Sequence, residues 1–127
     1  MPTLIEKIAS SHSVSEGEFL SGDFLRIRPK HIMTHDNTSA VMGKFASIGA
    51  DCIHDPKQPV FAIDHDIQNH SPENLGKYAK IESFANKHGI DYYKPGTGIS
   101  HQVMIERGYV TPGSMVVGSD SHSNIYG

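Results

Sequence analysis

The chain has 127 residues, 37% hydrophobic and 20% charged, which is enough apolar content for one ordinary domain with a modest core and carries no signature of disorder. Fourteen acids against 11 lysines and arginines leave a formal charge of -3 with no basic run, which excludes a nucleic-acid surface built on clustered cations. Its longest apolar runs, such as Val60-Phe61-Ala62-Ile63, fall far short of the ~20 residues a membrane helix needs, and no signal-peptide core stands near Met1.

In chain order, Thr3 to Ser10 places Leu4, Ile5 and Ile8 at helical spacing, and Ser13 to Gly22 reads as loop. Asp23 to Pro29 alternates Phe24, arginine and Ile27 as a half-buried strand does, with Pro29 closing it. From Asp36 the pattern turns helical: Val41, Met42, Phe45, Ala46 and Ile48 are apolar, Asp36 or Asn37 serves as N-cap, and Gly49 stops the helix. The single cysteine, Cys52, allows no internal disulfide and no self-contained thiolate metal site, and reads as a small buried hydrophobe. Pro59 to Asp64 is short and almost wholly apolar, as expected of a strand covered on both faces of a parallel sheet.

Ser71-Pro72-Glu73-Asn74 marks a helix start with a cap, a proline in the first turn and an acid beside it; Leu75, Tyr78, Ala79, Ile81, Phe84 and Ala85 carry that helix to Gly89. Ile90 to Tyr93 is a short strand, Gly96-Thr97-Gly98 a turn suited to an anion-binding helix start, and His101 to Glu106 a helix ending at Gly108. Met115 to Asp120 is the last strand. Alternating strands and helices predict an α/β fold, a mainly parallel sheet flanked by helices, in one folding unit.

Nine histidines nearly match the 11 fixed cations, and imidazole is the side chain that titrates near neutrality. His12, His31, His54, His70 and His88 stand among polar, Pro or Gly neighbours and read as exposed loop or helix-end residues, which leaves His35, His65, His101 and His122. Asp64-His65 ends one strand, His101 follows the Gly-rich turn, and Asp120-Ser121-His122 ends another strand. In open α/β sheets ligands bind at that carboxyl edge. A carboxylate beside an imidazole fixes its tautomer and raises its basicity, which prepares it for proton transfer. Adjacent strand residues point to opposite faces, so each pair must lie where the strand breaks into a loop.

Other readings compete for the same residues. Aspartates that merely cap helices beside exposed histidines would explain any one pair, though less readily all three groups. A dinucleotide loop at Gly96-Thr97-Gly98 lacks the third glycine, a hydrolase nucleophile at Ser121 lacks the second glycine of its elbow, and a zinc site of His65, His101 and His122 has no diagnostic spacing.

Ala62-Ile63-Asp64-His65-Asp66-Ile67-Gln68-Asn69, then Gly98-Ile99-Ser100-His101-Gln102-Val103-Met104-Ile105-Glu106, then Gly118-Ser119-Asp120-Ser121-His122-Ser123-Asn124 resemble the start of the catalytic domain of the aconitase family. His35-Asp36-Asn37-Thr38-Ser39-Ala40-Val41 resembles that family's first substrate-side segment. Within the family, Asp66-Ile67-Gln68-Asn69 and Ser123-Asn124-Ile125-Tyr126-Gly127 are most similar to the homoaconitase branch of lysine biosynthesis, ahead of 3-isopropylmalate dehydratase and of the aconitase branch.

The resemblance implies a hydro-lyase that moves a hydroxyl between adjacent carbons of a tricarboxylic acid by way of an alkene, homocitrate and homoisocitrate through homoaconitate in this branch. It also implies a 4Fe-4S cluster with one iron free of protein thiolate, acting as Lewis acid on the substrate. Matched position by position, Asp64 and His65 correspond to the acid that protonates the departing hydroxyl. His101, Asp120 and His122 correspond to groups around the iron-bound hydroxyl and water, and Ser121 and His35 to substrate-holding positions. Many family members carry glutamine at the position of His35, and the family's Asn-Gly-Gly continuation is replaced after Asn124.

The cluster's cysteines, the carbon-proton base and the substrate-binding arginines belong to parts of the family pattern that lie beyond Gly127, and Cys52 matches none of them. The expectation is therefore an incomplete, N-terminal piece of an aconitase-type iron–sulfur domain over residues 1–127, with no metal ligand of its own and no activity alone. Its expected partners are a small tricarboxylic acid and the rest of an aconitase-type chain or a small swivelling subunit, with neither nucleic acid nor membrane. The expected compartment is the cytoplasm or the mitochondrial matrix, and the alternative role is a non-catalytic polycarboxylate-binding module.

Overall fold

Among the described residues, four short strands form one wholly parallel sheet: β1 (His31–Thr34), β2 (Pro59–Ala62), β3 (Asp91–Tyr93) and β4 (Val116–Gly118), ordered β3-β2-β1-β4. The computed structural model describes residues 1–17 and 19–124. Four helices accompany the strands: α1 (Leu4–Ser11), α2 (Thr38–Ser47), α3 (Pro72–His88) and α4 (Ser100–Glu106). The predicted α/β class and parallel sheet are what the chain adopts. No helix of the described residues is long and apolar enough to cross a membrane.

Strand order and crossover handedness decide which helix covers which face. From β1 the chain steps outward to β2 and then β3, and right-handed crossovers place α2 and α3 on one face. The step from β3 back across to the far side of β1 reverses direction, so α4 lies on the opposite face. Burial follows the two-residue period of the strands: Phe61 packs with Tyr78, Ile81 and Ala85 of α3, whereas Val60 packs with Met33 and Met104 of α4.

Local chemistry sets the long helix. The Ser71 hydroxyl accepts the Asn74 N–H at 3.2 Å, Pro72 occupies the first turn, and Gly89 ends the helix at φ 72°, a left-handed conformation that glycine adopts without penalty. Thr3 and Glu6 close a reciprocal capping box at the start of α1.

Several sequence expectations give way. Asp23 to Pro29 is not a strand: it makes one isolated antiparallel bridge, Ser13 with Ile27, and Phe24 is fully exposed, so the alternation has no second layer to bury against. The strand of this region is β1, immediately after Pro29-Lys30, and His31 belongs to it rather than to a loop; its ring meets Tyr109 edge-on and its Nδ1 lies 3.0 Å from the Lys57 carbonyl. His54 and His70 are exposed as expected, while His12 and His88 are half-buried at helix ends. Cys52 is exposed, not buried, in the connection from α2 to β2. Asn37 precedes α2 without a side-chain capping bond, and Asp36 is used elsewhere.

Ile81 is fully buried at the centre of the α3 contact with the sheet. Ile81→Ala is expected to cost about 2–5 kcal/mol, read as a lower urea midpoint with an unchanged slope.

Candidate functional site

The register brings three strand ends together. Thr34 lies beside Phe61, and Met33 beside Gly118, so the residues that follow β1, β2 and β4 emerge side by side where strand order reverses around β1. The start of α4 completes the group. His35 and Asp36 follow β1, Asp64 and His65 follow β2, Asp120 follows β4, and His101 stands in the first turn of α4. Both Asp–His groups thus occupy loops just beyond their strands.

Asp120 is the junction. One of its oxygens lies 3.3 Å from His65 Nε2; the other lies 3.7 Å from His101 Nε2 and 3.2 Å from His122 Nδ1, and also accepts the His122 backbone N–H at 3.1 Å. His65 is held at both ring nitrogens, because its Nδ1 lies 2.6 Å from Asp64 Oδ1. The Asp64 and Asp120 side chains are each only 8% exposed, whereas that of His65 is 45% exposed and available to a ligand. The Ser123 hydroxyl lies 3.2 Å from His101 Nε2. Ser121 is exposed, with its hydroxyl 3.4 Å from His122 Nδ1.

His35 stacks on His65, ring centroids 4.1 Å apart and planes 21° apart. Its Nδ1 is buried and has no hydrogen-bond partner among the described residues. The turn before α4 does present an N–H to an anion, and that anion is the chain's own: Ser100 N–H donates to Asp64 Oδ2 at 2.6 Å.

Hydrogen bonding to Asp64 raises His65 above the usual imidazole range; burial opposes this, and the charges of Asp64 and Asp120 add to it. Burial works against a charged Asp120, yet the His122 N–H and ring, with the His65 charge, outweigh it and hold the carboxyl below its ordinary range. Asp36 behaves alike: burial opposes its charge, and hydrogen bonds from Tyr78 and from the His65, Asp66 and Asp64 amides prevail, lowering it. An ionised carboxylate beside a proton-rich imidazole is equipped to deliver a proton and take it back.

The Aconitase family (aconitate hydratase) profile matches residues 6–127. The chain belongs to the aconitase family. It is 58% identical over 127 residues to the mitochondrial homoaconitase of Mycosarcoma maydis, covering 98% of this chain and 17% of that relative. It is 53% identical over 128 residues to mitochondrial homoaconitases of Cryptococcus neoformans and Neurospora crassa, again over 98% of this chain and 18% and 16% of theirs. The chain thus spans about one-sixth of the length of these curated relatives.

Aconitase-family chemistry uses an iron–sulfur cluster, and the described residues do not fit as its ligands. The site offers imidazoles and carboxylates, not the thiolates that hold such clusters. Cys52 lies in the connection from α2 to β2, which returns to the amino ends of the strands, the sheet edge opposite the site. Ligand atoms of His35, Asp36, Asp64 and His65 do lie within 4.8 Å of one another, but both Asp36 oxygens are already engaged by N–H and O–H donors.

Three residues that shape this aconitase-family site were not legible as such. Asp36 read as a helix cap, Ser123 stood in the matched motif without a role of its own, and Asn37, whose Oδ1 accepts the Ser119 hydroxyl at 3.0 Å, ties the ends of β1 and β4 together. Of the residues used to assign the branch, Ile125, Tyr126 and Gly127 lie outside the described residues.

Charged His65 is favoured in the folded chain. Its contribution is complete below the unfolded imidazole midpoint of about 6.5 and is lost as pH rises through the raised folded midpoint. Asp64→Asn is expected to flatten the pH dependence of the denaturation midpoint from about pH 6.5 upward. At Gly118 an added Cβ would overlap Ser123 Oγ and sit 3.3 Å from Met33 Cε. Gly118→Ala should therefore displace Ser123 and cost about 1–3 kcal/mol, with the His101 ring resonances shifting in NMR spectra while those of α3 stay in place.

Proposed function

We propose that this chain is part of a homoaconitase-type hydro-lyase, which interconverts homocitrate and homoisocitrate through homoaconitate in lysine biosynthesis. The names and high identity of the relatives support the branch, and they support a mitochondrial compartment. The observation that carries the reading is the anchoring of His65 between Asp64 and Asp120 at the carboxyl edge of the sheet, with an exposed flank.

In this reading Asp64 keeps the Nδ1 proton of His65 in place, so the proton to be moved sits at Nε2, next to Asp120. A substrate hydroxyl that approaches the exposed side of the ring takes the Nε2 proton and leaves as water with the electron pair of its C–O bond, while a base outside these residues takes the proton of the adjacent carbon as the alkene forms; the imidazolium of His65 becomes neutral imidazole. On hydration Nε2 takes the proton back. Asp120 orients His101 and His122 around the same space, and the exposed Ser121 hydroxyl and the unpaired Nδ1 of His35 hold polar groups of the substrate. Filling that Nδ1 position is favourable, because a buried unpaired polar atom costs about 1–3 kcal/mol.

The 4Fe-4S cluster of the family, with Lewis-acid activation of the departing hydroxyl as its part, would be held by cysteines supplied outside these residues, so the isolated 127-residue chain has no turnover in this reading. In the complete protein, His65→Ala should lower kcat about 10²–10⁴-fold and change KM far less, followed by the ultraviolet absorbance of the alkene formed from homoisocitrate. A variant with unaltered kcat removes His65 from the acid role.

A further inference from the structure

The Asp36 carboxylate is bound by the backbone of the neighbouring loop. One oxygen accepts the N–H of Asp64 at 3.1 Å and of His65 at 2.8 Å; the other accepts the N–H of Asp66 at 3.1 Å and the hydroxyl of Tyr78 on α3. Three successive amides converge on one side chain, and two of them belong to the Asp64–His65 pair itself. This is a backbone concavity built around an anion, which here is supplied from the adjacent strand. The pairing of Thr34 with Phe61 makes it possible, since it sets the residues after β1 beside those after β2.

Charge and geometry are both required of that anion. An asparagine offers one acceptor oxygen and turns an NH₂ group toward the remaining donors, so it cannot receive all three amides and the hydroxyl. Peptide N–H groups bonded to a carboxylate are held about twice as strongly as those bonded to a neutral oxygen. The preceding residue, His35, covers one face of the His65 ring at 4.1 Å, so two consecutive residues of one strand end hold His65 from its backbone and from its ring.

We propose that Asp36 is a positioning residue for the Asp64–His65 pair, its carboxylate gathering three successive amides so that His65 Nδ1 rests on Asp64 Oδ1. The role rests on the reading of His65 as the acid, but it is measured in this chain without turnover, so failure of either is seen separately. The groups that face His65 are Asp64 on its own loop, Asp120 from the end of β4 and His35 from the end of β1; His101 and His122 reach it through Asp120. Asp36 makes no bond to the imidazole and acts through the loop.

NMR titration of the unaltered 127-residue chain provides the first test. On acidification the amides of Asp64, His65 and Asp66 should shift together with the Asp36 carboxyl carbon, at one midpoint below the ordinary carboxylate range. Amides that do not follow Asp36 overturn the proposal, whatever any variant does. In Asp36→Asn, the His65 midpoint should fall toward its ordinary value, its preference for the Nδ1–H tautomer should be lost, and the three amides should exchange about tenfold faster or more. Tyr78→Phe, which removes the bond to α3 and leaves the amides bound, should preserve the midpoint and the tautomer. A folded Asp36→Asn chain with an unchanged His65 midpoint and tautomer overturns the proposal.

Discussion

A right-handed crossover places its connecting helix on one face of a parallel sheet when the chain moves outward and on the other face when it moves back. In this chain the direction changes once, after β3, and the returning strand β4 docks on the free side of β1. The site follows from that reversal. It opens a gap in the helical cover at the carboxyl ends of β1, β2 and β4, and it brings the start of α4 to the same gap from the opposite face. Asp64, His65, His101 and Asp120 come from three separate stretches of chain, and this single topological step sets His65 between the two aspartates at 2.6 and 3.3 Å and brings His101 to 3.7 Å from Asp120.

Two nearly buried carboxylates at such a place would be costly if they stood alone. Here each is surrounded by donors. Asp64 receives the Ser100 N–H and one ring nitrogen of His65; Asp120 receives the His122 backbone and faces three imidazoles. The same contacts that satisfy the anions raise the basicity of His65, so the solvation of the acids and the preparation of the histidine are one arrangement. Asp36 continues the pattern one layer down, with backbone amides in place of imidazoles.

Elements specified by local chemistry were legible in the sequence. α3 carries its own start and stop in Ser71-Pro72 and Gly89, and β2 carries a continuous apolar run that only a strand covered on both faces can use. β1 was not legible, although it is central: four residues with a histidine at one end and a threonine at the other have no periodicity to detect, and their stability comes from being paired on both sides. Asp23 to Pro29 shows the converse, an alternating pattern without a partner surface. Cys52 and His31 were misplaced for the same reason, since one side chain's exposure depends on what the rest of the chain lays over it.

The sequence by itself determined the α/β class, the family, and the positions of Asp64-His65, His101 and Asp120-Ser121-His122 at element ends, because strand periodicity, caps and motif order are properties of contiguous residues. It also placed both Asp–His groups in loops, since neighbouring side chains on a strand cannot share a face. Only the tertiary structure decided that Asp120 joins His65 and His101, that His35 stacks on His65, and that Asp36 binds the loop after β2 rather than capping α2. Those contacts depend on strand register and on the order of strands across the sheet, which are set by packing between segments far apart in the chain.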